Sequence, residues 1–128
     1  MGKLVKMNTL INKLSDRPFK YGENDCFTFT NALVKEWHGK DFKKLHQYKN
    51  KKEAITYIRD NKGIEALITG TLGYSCAPEE CADGDVVSAE VSADEVAVGF
   101  VFNGNGLFLG KTVVKIPLKK CRMGWRIK

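Results

Sequence analysis

With 128 residues the chain falls in the size range of one domain with one core, and its 43% hydrophobic content excludes a disordered chain. No apolar run approaches the roughly 18 residues that a membrane helix needs, and the N-terminus MGKLVKMNTL has neither the apolar stretch nor the cleavage site of a signal peptide. The net charge of +6 draws on 21 basic residues, but 17 of them are lysines and no RNA- or DNA-binding motif accompanies them, so nucleic acid is not an expected partner.

Leu4, Met7, Leu10, Ile11 and Leu14 recur at helical spacing and predict a first amphipathic helix that ends before Pro18. A loop containing Gly22 follows. Asn24 and Asp25 are good N-cap residues for a second helix running through Phe29, Leu33 and Trp37 to Gly39. Residues 41–50 are polar and read as irregular. Lys51 to about Asn61 forms a third helix, closed by Gly63, and residues 64–68 add a short fourth. From Gly84 the character changes to apolar, β-branched segments: strands are expected at 85–91, 95–102, 107–109, 112–116 and 125–127. Asn103 to Gly106 (NGNG) marks a tight turn between the second and third. Helices first and a meandering antiparallel sheet second give an α+β fold. It is read as a single domain over 1–128, with a helical part at about 1–75 and a sheet part at about 84–128.

The four cysteines (Cys26, Cys76, Cys81 and Cys121) are irregularly spaced and nothing signals secretion, so reduced thiols in a cytoplasm are the default. Cys76 and Cys81 have no C-x2-C or H-x3-H companion, so no metal and no cofactor is expected. Charge is partitioned along the chain. Residues 1–62 carry 14 basic and 7 acidic groups; between Lys62 and Lys111 there are 8 acidic and no basic ones; residues 111–128 carry 7 basic and no acidic ones. If the acidic span forms one surface, the molecule has two faces suited to docking on charged neighbours; otherwise the pattern serves solubility.

Cys26 is the candidate nucleophile. It follows Asn24 and Asp25 at a helix start, where free backbone N–H groups and the helix dipole favour a thiolate. The competing reading is a small buried hydrophobe at the top of a helix.

The stretch RPFKYGENDCFTF (17–29), followed by HGKD (38–41), resembles small phage-encoded relatives of the NlpC-type cysteine peptidases, which have a compact papain-like fold. GDVV from Gly84, VAVGFVF from Val96, VKIPL (114–118) and GWRI (124–127) follow in the matching order, so the resemblance runs from about residue 17 to the C-terminus. It implies Cys26 as nucleophile, at the start of a helix packed on the sheet, and a histidine base early in the second strand. Here that position is Ala97, which cannot take a proton. Cys26 therefore loses its proton acceptor and the acid needed by a leaving amine. His38 lies 12 residues along the same helix, about 18 Å away, and His46 lies in the next loop; both are read as solvated surface residues. Asp94 and Glu95 are near, but a carboxylate raises a thiol's pKa rather than activating it.

Two functions are therefore carried forward. In the first, the resemblance with its base missing implies an inactive peptidase scaffold serving as a structural or interaction protein of a phage tail tip or baseplate. Its partners would be other tail proteins, and its route the host cytoplasm followed by the virion tail. In the second, Cys26 cleaves cell-wall (peptidoglycan) peptides with an unconventional base, such as His46 or a group from a partner chain.

Overall fold

A computed structural model of the chain describes residues 2–39, 48–93 and 95–127. Four helices precede five strands: α1 (Lys3–Ser15), α2 (Cys26–His38), α3 (Lys51–Asp60), α4 (Ile64–Leu72), then β1 (Val86–Ser92), β2 (Glu95–Phe102), β3 (Asn105–Leu109), β4 (Val113–Pro117) and β5 (Met123–Trp125). Two 3-10 turns, Pro78–Glu80 and Leu118–Lys120, precede β1 and β5. The strands form one antiparallel sheet in the order β4-β3-β2-β1-β5, so the chain is α+β as expected.

The helix boundaries follow from local chemistry. Asp25 caps α2 with a reciprocal capping box, its side chain accepting from the Thr28 N–H while Thr28 Oγ1 accepts from the Asp25 N–H, and Gly39 ends the helix in the left-handed region. Asn50 caps α3 by accepting from the Glu53 N–H. Gly63 serves α4 as N-cap. The fourth helix runs to Leu72 rather than stopping at Ile68, its last turn closed by Gly73 N–H donating to the Thr69 carbonyl oxygen. The last strand is 123–125 rather than 125–127, because the register is set by Val86 opposite Trp125 and Ser88 opposite Met123.

The sheet is buried on both faces. Alternate residues Val86, Val98, Phe100, Phe102, Leu107 and Leu109, with Trp125, meet Phe27, Phe29, Leu33 and Val34 of α2 and Met7 and Leu14 of α1. The intervening residues Val87, Ala89, Ala97, Val101 and Phe108 meet Cys81, with Cys76, Leu118 and Cys121 packed around them. Two-residue alternation with both faces covered explains why β1 and β2 read as nearly continuous apolar runs. Trp37 and Trp125 both pack inside, as their size suggests: Trp37 stands edge-on to Phe100 and Phe102 with Lys3 Nζ 3.8 Å over its ring, and Trp125 is fully buried, its Nε1–H donating to Thr69 Oγ1 at 3.1 Å.

At one edge lies β4. The bonds Gly110 N–H to Thr112 O (3.0 Å) and Leu118 N–H to Gly104 O (3.4 Å) fix its phase, so Val114 and Ile116 pair inward with β3 while Val113 and Lys115 turn their backbone groups outward.

Part of the acidic middle of the chain is paired with its basic tail. Glu65 pairs with Arg122 at 3.1 Å, and the buried Asp85 lies 3.9 Å from Arg126. Both contacts join the acidic span to the basic tail.

Candidate functional site

Asp25 organises the region around Cys26. Its Oδ1 accepts from Thr28 N–H (3.0 Å), and its Oδ2 accepts from Gly22 N–H (2.8 Å) and from the Tyr48 hydroxyl (2.8 Å). One buried carboxylate thus ties together the helix start, the preceding loop and the segment before α3. Asn24 anchors the same loop on α1, its Nδ2 donating to the carbonyls of Leu14, Arg17 and Pro18. Gly22, at φ +85°, lies so close to the Tyr48–Lys49 backbone that a Cβ would come within 2.8 Å of the Tyr48 carbonyl oxygen. Asp25→Ala is expected to cost about 3 kcal/mol, the loss of a cap plus two further hydrogen bonds to a buried anion. Urea unfolding checks this, and Asp25→Asn should recover part of the loss.

Cys26 is the first residue of α2 and opens onto a cleft of about 1280 Å³. Ala97, on β2, lines the same cleft, so the two positions that the resemblance pairs open onto one cavity. Tyr21, Asp25, Phe27 and Phe108 also line it. Four of the exposed large apolar residues, Phe19, Ile55, Val91 and Val114, stand on the walls of this cleft.

Burial works against activation of the thiol. Burial pushes the Cys26 pKa up to about 12, and Asp25 adds to the rise; the Val98 backbone and the N–H groups of Cys26 and Phe27 pull the other way and lose. The helix start does pull this pKa down, as expected, but burial outweighs it. A helix terminus offers a few oriented N–H groups, whereas losing water penalises the whole thiolate charge. Tyr21 and Tyr48 are raised as well, first by burial, so the neutral forms dominate around Cys26.

Of the groups weighed as bases, one lies far from the thiol and one lines its cleft. His38 stands at the far end of α2 and is half-buried rather than solvated, with Nε2 2.9 Å from the Gly84 carbonyl oxygen. Glu95 lines the cleft and accepts from the Ser92 hydroxyl at 2.8 Å. His46 and Asp94 lie outside the described residues. Among the described residues lining the cleft there is no histidine.

Residues 4–127 match the family described as a domain of unknown function (DUF6950). The chain belongs to the DUF6950 family. A search of the curated proteins found no match. In this DUF6950 chain, no group of three or more His, Cys, Asp and Glu side chains among the described residues is placed to hold a metal ion. Nor is any helix among those residues long and apolar enough to cross a membrane.

Tyr48 is the residue of the DUF6950 site that sequence reasoning missed. It lies at the end of a segment read as polar and irregular, yet it is buried and hydrogen-bonded to Asp25. The usable signal was an aromatic residue carrying a hydroxyl within an otherwise polar tract, since such residues bury their ring and need a partner for the oxygen.

Proposed function

We propose that this chain is a structural or interaction protein of a phage tail tip or baseplate, built on the papain-like scaffold of the NlpC-type cysteine peptidases with their chemistry lost. The observation that carries this reading is that Cys26 and Ala97 line one cleft with no histidine among its described lining residues, the thiol held neutral where a peptidase needs a thiolate beside an imidazole. A helix-start cysteine packed against an antiparallel sheet supports the scaffold. The phage and tail setting comes from the sequence resemblance. Exposed apolar side chains on the cleft walls support contact with a partner, because such groups gather where a surface becomes covered.

The test has two arms. Purified protein incubated with peptidoglycan sacculi should release no new peptide termini, and Cys26→Ala should behave identically. Gradient-purified phage particles should contain the chain, detected by mass spectrometry in the tail fraction. Cleavage that disappears in Cys26→Ala would replace this reading with the second one, a cell-wall peptidase using an unconventional base. Absence of the chain from particles would remove the virion role.

A further inference from the structure

Cys76 and Cys81 lie on the sheet face that carries Val87, Ala89 and Val101. Their sulfurs are 3.9 Å apart, close to van der Waals contact, and the 3-10 turn Pro78–Glu80 folds the chain back between them. The turn is fixed by Glu80 N–H to Ala77 O and Cys81 N–H to Pro78 O, both at 3.0 Å. Cys76 is also held on the other side. It exchanges two backbone hydrogen bonds with Gly124 of β5, at 2.8 and 2.9 Å. A Cβ on Gly124 would collide with Cys81 Sγ, so the glycine leaves the space that the thiol pair occupies. Cys121 is turned elsewhere, its thiol directed at the carbonyl oxygens of Ile116 and Pro117.

We propose that Cys76 and Cys81 are an oxidisable dithiol that closes to an intramolecular disulfide, locking the turn before β1 beside β5. A disulfide needs the sulfurs about 2 Å apart, and two side chains already converging at 3.9 Å reach this by small rotations. The oxidant is a low-molecular-weight disulfide such as oxidised glutathione. The Cys76 thiolate attacks it, the reagent's S–S bond breaks and one glutathione thiolate leaves. The Cys81 sulfur, giving its proton to solvent base, then displaces the second glutathione from Cys76. Two protein thiols are oxidised and one disulfide is reduced to two thiols. Cys76 is the more accessible of the pair and takes the first step. Burial pushes the Cys81 thiol up, which slows the second step and makes the mixed disulfide a visible intermediate.

The folded protein is incubated with oxidised glutathione, quenched with acid, and its thiols are counted and mapped by mass spectrometry. Free thiols should fall from four to two, with the Cys76 and Cys81 peptides linked. Cys81→Ser should stop at a single glutathione adduct on Cys76. The proposal is overturned if all four thiols survive, or if the linkage involves Cys26, Cys121 or a second chain.

Discussion

Carboxamidomethylation of Cys26 by iodoacetamide at pH 8 is expected to run about a thousandfold slower than that of an ordinary exposed cysteine, with a rate still climbing beyond pH 10. Only the thiolate reacts, and its fraction falls tenfold for each unit by which the pKa exceeds the ambient pH. The thiol stands at about 12 against an ordinary 9.0, three units higher. The helix start is worth about 1 kcal/mol in ordinary settings, less than one such unit, so burial decides the sign. Ala97→His offers the sharper contrast. An imidazole at this position would line the same cleft as the thiol and, by accepting its proton, should raise the neutral-pH rate about tenfold. Peptide mapping separates Cys26 from the other three thiols, and Cys26→Ala supplies the blank. A wild-type profile with an apparent pKa well below the ordinary value of about 8.5 would mean an activated thiolate and would restore the peptidase reading. An unchanged rate in Ala97→His would remove the argument that this position once held the base.

Gly84→Ala is expected to destabilise the fold by about 3 kcal/mol, combining a left-handed backbone that alanine resists with overpacking of the core. Gly84 has φ +95°, and a Cβ there would overlap Cδ1 and Nε1 of Trp37 and lie 3.0 Å from His38 Nε2. The indole cannot easily retreat, because it stands against Phe100 and Phe102 with Lys3 over its ring. Gly104→Ala separates the two causes. Gly104 also has positive φ, at +78°, but nothing lies within 4 Å of its hypothetical Cβ, so only the backbone cost of about 1 kcal/mol should appear. Urea unfolding of both variants, with unchanged m-values, reads the difference. Equal losses would mean that the Trp37 contact is soft and that the conformational cost alone governs both sites.

The features legible in the sequence were those encoded by neighbouring residues. Asn24 and Asp25 announced the start of α2 because a cap acts on N–H groups two or three residues ahead. Asn103 and Gly104 announced the β2–β3 hairpin because both adopt positive φ, which few other residue pairs tolerate. Long-range contacts were hidden. His38 reads as a surface residue until Gly84, 46 positions later, brings its carbonyl to the ring. Cys26 reads as an activated thiol or a small buried hydrophobe, and the burial that pushes its pKa up comes from packing that no local pattern records. The charge partition was real along the chain, yet the Glu65–Arg122 and Asp85–Arg126 contacts fold its acidic part onto its basic tail.

The outer strand β4 bears on how copies of the protein could sit together. It offers only Val113 and Lys115 as outward N–H donors, because Pro117 has none to give. Lys111, Lys115, Lys119 and Lys120 surround it without an acidic residue from 111 onward. Two such edges laid side by side would confront lysine with lysine over a short, interrupted ladder, which discourages sheets from extending from one molecule to the next. Crowded at high local density, the protein can therefore stay discrete along this margin, and any ordered array of it would have to be stitched through other surfaces.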